Sequence, residues 1–164
     1  MTVLTLTNVA DAARIIERFR GFHDALIKSI TIQTNDEFLR EDGTSGETQV
    51  SQTIAERCDV QVTFKCPAFG GPGQGSIATV LGRFFDVSEI LWEFSPGKGW
   101  HPDWTIELIE FPVVEVTTTG VEGVKRFEFV VRRQVLNSQR CWQPIAMRCF
   151  RFGWADFRDL GQTD

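Results

Sequence analysis

The sequence predicts an α+β fold in which antiparallel β-strands dominate and one helix lies near the N-terminus. A helical period occurs only over residues 9–19, whereas several later segments have strand-like composition or alternation and are separated by polar turns. Strands and helices do not alternate along the chain, as they do in parallel sheets. We therefore expect an open or barrel-like antiparallel sheet of about seven to eight strands, with the helix on one face or at one end.

Length and hydropathy predict one domain outside the membrane. With 164 residues, the chain fits a single domain of common size, so residues 1–164 are expected to fold together. No apolar run approaches the roughly 18 residues of a membrane helix, and the first residues lack the basic and apolar stretches of a secretory signal. A cytoplasmic protein without membrane association is expected.

The helical segment carries signals at both ends. Asn8 is a suitable N-cap with Asp11 three positions later, and Gly21 follows as a stop signal. These signals predict a helix over residues 9–19. The apolar residues expected to line its buried face are Val9, Ala12, Ala13, Ile16 and Phe19.

Beyond the helix, the apolar residues take the spacing of strands. Residues 26–34 are rich in β-branched side chains, and the polar residues 35–52 predict a long loop. Residues 57–66 alternate most regularly, which predicts a strand on a sheet with one wet face, and the Gly- and Pro-rich residues 67–76 predict a connection. The remaining predicted strands are residues 76–85, 87–94, 104–111, 113–119, 124–133 and 142–152, with a turn at 120–123.

The cysteines form neither a metal-binding nor a disulfide pattern. No Cys-x-x-Cys pair occurs, and four cysteines are few for a disulfide scaffold of this length. Such cysteines pack as small apolar groups. Reduced, buried thiols are therefore expected at Cys58, Cys66, Cys141 and Cys149.

The overall charge argues against nucleic acid as a partner. The formal net charge is −5, whereas phosphate binding needs a surplus of Lys and Arg. Residues 125–151 nevertheless carry seven basic residues and one acidic residue. Two interpretations are open: this basic segment is an exposed surface, or it pairs across neighbouring strands with acidic residues of 103–122. We favour the second.

The two histidines mark a candidate site. His23 precedes Asp24, and His101 lies two residues before Asp103, so two imidazoles and two carboxylates could meet. Such a set suits a small ligand, a metal or proton transfer near neutral pH. The alternative is structural: Asp24 accepts backbone hydrogen bonds in the turn after the helix, and His23 is a partly buried polar corner. Because the spacing places no two ligands on one helix or strand face, no resident metal is predicted.

Two tryptophans extend this candidate site. Trp100 and Trp104 bracket the polar loop that contains His101. Tryptophan supplies a large contact area at low entropic cost, so the pair is a candidate anchor for a protein partner or a flat ligand. The alternative is that both side chains fold back as a lid over the end of the sheet.

No cofactor or catalytic motif accompanies these residues. The glycine-rich residues 70–76 lack the Gly-Lys-Ser/Thr ending of a phosphate loop and lead into an apolar strand rather than a helix. No serine or cysteine has the sequence context of an activated nucleophile. The sequence leaves catalysis open but favours a domain without enzymatic activity and without a cofactor.

Residues 21–27, with the run Phe22-His23-Asp24-Ala25, resemble the opening of small bacterial immunity proteins associated with polymorphic toxin systems. In that family the motif precedes a β-strand, and further strands follow. Residues 83–94 are similar in character to the family's apolar strand pair, so the resemblance covers residues 21–110. It implies a protein that binds and neutralises a partner toxin.

Three functions follow from these observations. The first, which we expect, is a non-enzymatic protein-binding domain, in the immunity case one that neutralises a toxin. The second is a small-molecule or metal-binding domain around His23, Asp24 and His101, which a separation of the two histidines beyond about 15 Å would exclude. The third is a structural domain that forms a homo-oligomer through a strand edge or an apolar patch.

Overall fold

The computed structural model describes residues 2–34, 38–39, 52–53, 58–67, 77–90, 106–118, 121–136 and 139–162. Within them, ten strands form two five-stranded antiparallel sheets, which we call the front sheet and the back sheet. The front sheet has the order β1 (Val3–Leu6), β12 (Trp154–Gln162), β6 (Ile77–Val87), β5 (Cys58–Pro67) and β2 (Leu26–Thr34). The back sheet has the order β7 (Glu89–Ile90), β11 (Trp142–Phe152), β10 (Val121–Leu136) and β8 (Leu108–Glu110), with β9 (Val113–Thr118) also paired to β10.

The predicted α+β fold with mainly antiparallel strands and one N-terminal helix is confirmed. Both sheets are open rather than closed into a barrel. Their ten strands exceed the predicted seven to eight because β1 and β12 are absent from the sequence interpretation. A further short pair, β3 (Phe38–Leu39) with β4 (Gln52–Thr53), lies within or beside the predicted loop 35–52, most of which is outside the described residues. Strand β10 also begins inside the predicted turn 120–123.

The N-terminal helix, α1, spans Val9–Arg18 and begins as predicted. The side-chain oxygen of Asn8 accepts a hydrogen bond from the backbone nitrogen of Asp11 at 3.0 Å. Of the predicted buried face, Ala12 and Phe19 are buried and Ile16 is half-buried, whereas Val9 is 67% exposed and Ala13 is exposed. Ile15, which the prediction left out, is also buried, so the buried face is turned slightly from the predicted one. In the described ranges, no helix has the length and apolar character needed to cross a bilayer.

The two sheets pack through inner faces rich in phenylalanine. Phe84 of the front sheet contacts Phe129 and Phe150 of the back sheet, with ring centroids 5.1 and 4.9 Å apart. Phe19, in the turn after α1, and Phe22 close the same core from one side, since both rings lie within 6.4 Å of Phe157. One continuous apolar core therefore joins the helix to both sheets.

The front and back sheets are continuous at one corner. The chain passes from β6 to β7 through Ser88 and from β11 to β12 through Gly153. The backbone nitrogen of Ser88 donates to the carbonyl of Arg151 at 3.1 Å, and that of Gly153 donates to the carbonyl of Phe85 at 3.0 Å. A Cβ at Gly153 would lie 3.0 Å from the carboxylate of Asp86, so a larger residue at this crossing would force Asp86 to shift.

A buried arginine holds this corner. Arg126 of β10 donates one hydrogen bond to the carboxylate of Asp86 at 3.0 Å and another to the carbonyl of the same residue. The side chain of Arg126 is only 7% exposed. Asp86 has a left-handed backbone conformation, with φ at 58°. The arginine thus secures the residue at which β6 turns out of the front sheet.

The predicted pairing of the basic segment 125–151 with acidic residues of 103–122 is confirmed for Arg132, which contacts Glu110, and Lys125 lies opposite Glu115 in the register of β10 and β9. Arg126, Arg148 and Arg151 instead contact carboxylates outside residues 103–122. The pairs with described residues are Arg126 with Asp86, Arg132 with Glu110, Arg148 with Glu128 and Arg151 with Glu89 and Glu128. The charge of these arginines is therefore largely compensated within the back sheet.

Candidate functional site

The Phe22-His23-Asp24-Ala25 motif divides into buried anchors and exposed polar groups. It follows a short 3-10 helix, Arg20–Phe22, in which Gly21 has a left-handed φ of 65°. Phe22 and Ala25 are fully buried in the core. The side chains of His23 and Asp24 are 61% and 59% exposed, and His23 Nδ1 lies 3.0 Å from Asp24 Oδ2. The interpretation of His23 as a partly buried corner is wrong, because the turn points both polar side chains outward.

The described chain resumes beside this motif at Ile106. The backbone nitrogen of Asp24 donates to the carbonyl of Ile106 at 2.9 Å, and the nitrogen of Ile106 donates to the carbonyl of Ala25 at 3.0 Å. Ile106 follows the segment that carries the remaining predicted site residues. These are Trp100, His101, Asp103 and Trp104, and they lie outside the described residues. Their convergence with His23 and Asp24 stays a prediction.

A metal centre finds no support in the described ranges, where no group of three or more His, Cys, Asp or Glu residues could hold an ion.

Two of the thiols are buried in the core. Burial raises the pKa of Cys66 and of Cys149 to about 12. Both thiols therefore stay protonated and inert near neutral pH. Cys141 is exposed, so the expectation that it is buried is wrong; it precedes β11 rather than lying on it.

We expect the buried thiols to be protected and to make stability pH-dependent. In the folded protein at pH 8, iodoacetamide should modify Cys141 at least about 100-fold faster than Cys66 or Cys149. Because the folded pKa values lie above the ordinary thiol value of 9.0, the folded state retains protons that the unfolded state loses. The free energy of unfolding should therefore fall as the pH rises from 9 towards 12.

Mass mapping of the alkylated peptides and urea unfolding across this pH range would check both effects. Alkylation in urea serves as the control in which all four cysteines react. Equal labelling of Cys66 and Cys141 in the folded protein would contradict the prediction, as would stability that stays constant above pH 9.

A groove of about 390 Å³ lies between β1 and the start of α1. Its carboxylate, Asp11, accepts hydrogen bonds from the hydroxyl and the backbone nitrogen of Thr7, at 2.8 and 3.0 Å, and pairs with Arg14. The hydrogen bonds from Thr7, first that of its hydroxyl, lower the pKa of Asp11. This charged group is already satisfied by its own segment and does not call for a ligand.

A second depression, of about 290 Å³, lies on the outer face of the front sheet. Strand register builds it: Asp156 of β12 lies opposite Arg83 of β6, and Arg83 lies opposite Gln61 of β5. Alternate residues of each strand face the core, so their neighbours must face outward. The residues that give the depression its polar and aromatic lining include Gln33, Asp59, Gln61, Arg83, Phe85 and Arg158.

Aromatic rings and guanidinium groups adjoin on this face. The rings of Phe85 and Trp154 are stacked, with centroids 3.8 Å apart and planes inclined by 13°. The guanidinium carbon of Arg83 lies 5.1 Å from the centroid of Phe85. Trp154 remains 41% exposed. We call Arg83, Phe85, Trp154, Asp156 and Arg158 the outer cluster.

Hydrogen bonding in the outer cluster is incomplete. Arg158 Nε lies 3.6 Å from Asp156 Oδ1, and neither of these buried atoms makes a hydrogen bond in the described part of the chain. The side chain of Arg83 makes no hydrogen bond or ion pair with another described residue. The cluster thus combines an exposed aromatic ring with two arginine side chains that make few hydrogen bonds to described residues.

Similarity to known proteins provides no information about the candidate site. Comparison with models of protein families, with curated proteins and with solved structures finds no match. The candidate site is therefore defined by the chemistry of its own residues.

The outer cluster was not predicted from the sequence because three of its five residues lie on β12, a strand that the sequence interpretation did not include. Ala155 and Phe157 of this strand are buried, and they alternate with Trp154, Asp156 and Arg158. That period of two is a recognisable strand signal. It identifies Trp154 and Arg158 as residues of one outward face, although it does not reveal that β6 lies alongside.

Proposed function

We propose that the chain is a non-enzymatic protein-binding domain whose partner docks on the outer face of the front sheet. The observation that carries the proposal is the outer cluster, in which Trp154 stacks on Phe85 and the guanidinium group of Arg83 lies over the same Phe85 ring. Tryptophan and arginine are the residues most enriched among those that dominate the energy of protein interfaces. An exposed tryptophan held by ring stacking is also ordered before binding, which lowers the entropic cost of docking.

The shape of the surface favours a protein over a small molecule. The depression of about 290 Å³ lies at the lower end of the volumes typical of small-molecule clefts, and it opens onto the face of a sheet. Strand pairing fixes the backbone under this face from β1 to β2. A rigid, open sheet face matches the requirement of a protein interface for area and complementarity.

The immunity function implied by the Phe22-His23-Asp24-Ala25 resemblance is the specific form of this proposal, with a toxin as the partner. Phe22 packs its ring 4.8 Å from that of Phe64, on the inner face of the front sheet. The motif would then support the sheet from its inner side, while the outer side meets the toxin. His23 and Asp24 are not needed for docking in this arrangement.

Affinity capture from the source cell, followed by mass spectrometry and reconstitution with the purified partner, tests the proposal. Trp154→Ala should weaken binding about 30-fold or more, as expected for a central interface tryptophan. Val113→Ala is the matched control, because Val113 is exposed to a similar extent, 37% against 41%, on the back sheet. The control should bind like the wild type.

The same variants test neutralisation. Expression of the captured partner alone should arrest growth, and co-expression of the wild type or of Val113→Ala should restore it. Trp154→Ala should fail to restore growth while unfolding in urea like a folded protein. A captured partner that binds Trp154→Ala unchanged would refute docking on this face, and one that leaves growth unaffected would refute the immunity function.

A further inference from the structure

Arginines on the back sheet and on the front sheet have different partners. On the back sheet, Arg132 contacts Glu110 at 2.7 Å, and Arg151 contacts Glu128 at 3.0 Å. Such distances are those of charge-assisted hydrogen bonds between guanidinium and carboxylate. The back sheet therefore satisfies these arginines internally.

The front sheet leaves its two outward arginines short of acceptors. Arg83 contacts the ring of Phe85 and forms no ion pair with a described residue, although Asp156 is its neighbour across the strands. Arg158 reaches Asp156 only at 3.6 Å, and its buried Nε makes no hydrogen bond there. One carboxylate thus lies between two guanidinium groups and does not saturate either.

When a partner covers this face, the lack of hydrogen-bond acceptors for Arg83 and Arg158 becomes energetically unfavourable. Arg83 is half-buried and Arg158 has a side chain 33% exposed, so both exchange hydrogen bonds with solvent in the unbound protein. A docked protein excludes that solvent, and a guanidinium buried without an acceptor is strongly unfavourable. A partner that supplies an acceptor avoids this cost, and a negatively charged acceptor forms the stronger hydrogen bonds.

We propose that an aspartate or glutamate side chain of the partner enters the depression and accepts hydrogen bonds from Arg83 and Arg158. This inference rests on the proposed protein-binding function and specifies its central contact. Both arginines line the depression, and the stacked rings of Phe85 and Trp154 form an apolar border beside it. A planar carboxylate matches the forked donors of guanidinium groups.

The same observations disfavour a phosphate-rich partner. Asp59 lines the depression, and Asp156 lies between the arginines, so two carboxylates would repel a polyanion. The net charge of −5 acts in the same direction. A single carboxylate on a neutral or mixed-charge protein surface meets the two arginines with less of this repulsion, because it carries one negative charge rather than many.

The first experiment uses a small probe and the full chain. The arginine Nε–H resonances are followed by NMR while N-acetyl-aspartate α-amide is added, with N-acetyl-asparagine amide and inorganic phosphate as comparison probes. The acidic probe should shift the Arg83 and Arg158 resonances saturably and leave Arg132 unchanged. An equal response to the asparagine probe, a tighter response to phosphate, or no response at either arginine would overturn the proposal.

The second experiment uses the reconstituted partner and separates this inference from the proposed function. Arg83→Gln and Arg158→Gln should each weaken binding about 30-fold or more, and Arg132→Gln should change it by less than about 3-fold. Arg158→Lys should recover part of the loss and thereby exclude misfolding. If Trp154→Ala disrupts binding while both glutamine variants bind normally, the carboxylate contact is refuted and the docking face stands. If no partner is found, the proposed function fails, and the probe titration still decides the chemistry of the arginines.

Discussion

Replacing Phe84 with alanine is expected to lower the free energy of unfolding by about 3 to 5 kcal/mol, the range for removing a buried aromatic ring. Phe84 is fully buried where the two sheets meet. Its ring lies 4.9 to 5.5 Å from four others, so the surrounding side chains cannot all relax into the space that alanine leaves. Urea unfolding followed by circular dichroism measures the loss.

The adjacent residue provides the control for Phe84. Phe85→Ala removes a ring from the same strand, but this ring faces outward and stacks on Trp154. The Phe85→Ala substitution should lower the free energy of unfolding by about 1 kcal/mol, which is the contribution of one aromatic contact at a half-exposed site. If the alanine variant does not fold, the loss in the free energy of unfolding is measured with Phe84→Leu instead. Equal losses from Phe84→Ala and Phe85→Ala would show that the core does not lie between the sheets as described.

Replacing Arg126 with alanine should lower the free energy of unfolding by about 3 kcal/mol, because it removes one partner of a largely buried ion pair. The variant removes the hydrogen bonds that Arg126 donates to the carboxylate and to the carbonyl of Asp86. Asp86 also has a left-handed backbone conformation that the arginine secures. Thermal or urea unfolding of the two proteins gives the difference.

Arg132→Ala is the matched control for Arg126. Arg132 pairs with Glu110 at the surface, where an ion pair contributes less than about 1 kcal/mol. The double variant Arg126→Met, Asp86→Asn should recover part of the stability, since no charge is then left unpaired at the corner. A loss below about 1 kcal/mol for Arg126→Ala would contradict the assigned role of the buried arginine.

Local patterns in the sequence predict most of the fold because helix caps and strand alternation act over a few residues. Asn8 marks the start of α1, and residues 26–34 coincide with β2 as Leu26–Thr34. The predicted helix face is right at Ala12 and Phe19, but local spacing does not decide where the edge of the buried face lies. Tertiary packing buries Ile15 and leaves Val9 exposed.

The candidate site was less predictable, because it is assembled across strands that are distant in sequence. Arg83 and Asp156 become neighbours only through the pairing of β6 with β12. Side-chain periodicity identifies an outward residue but carries no information about the strand beside it. His23 and Asp24 are adjacent in sequence, so their exposed pair could be predicted. The outer cluster could be recognised only once the strand order was known.

The position of β12 determines when the proposed docking face can exist during protein synthesis. This strand is the last described one along the chain, yet it lies inside the front sheet between β1 and β6. Until the ribosome has released residues 154–162, β1 has no partner and the front sheet has a gap. Trp154 and Arg158 arrive with that strand, so a nascent or prematurely terminated chain that ends before β12 cannot present the outer cluster. Such long-range closure also slows folding, because distant segments must meet before either is stabilised.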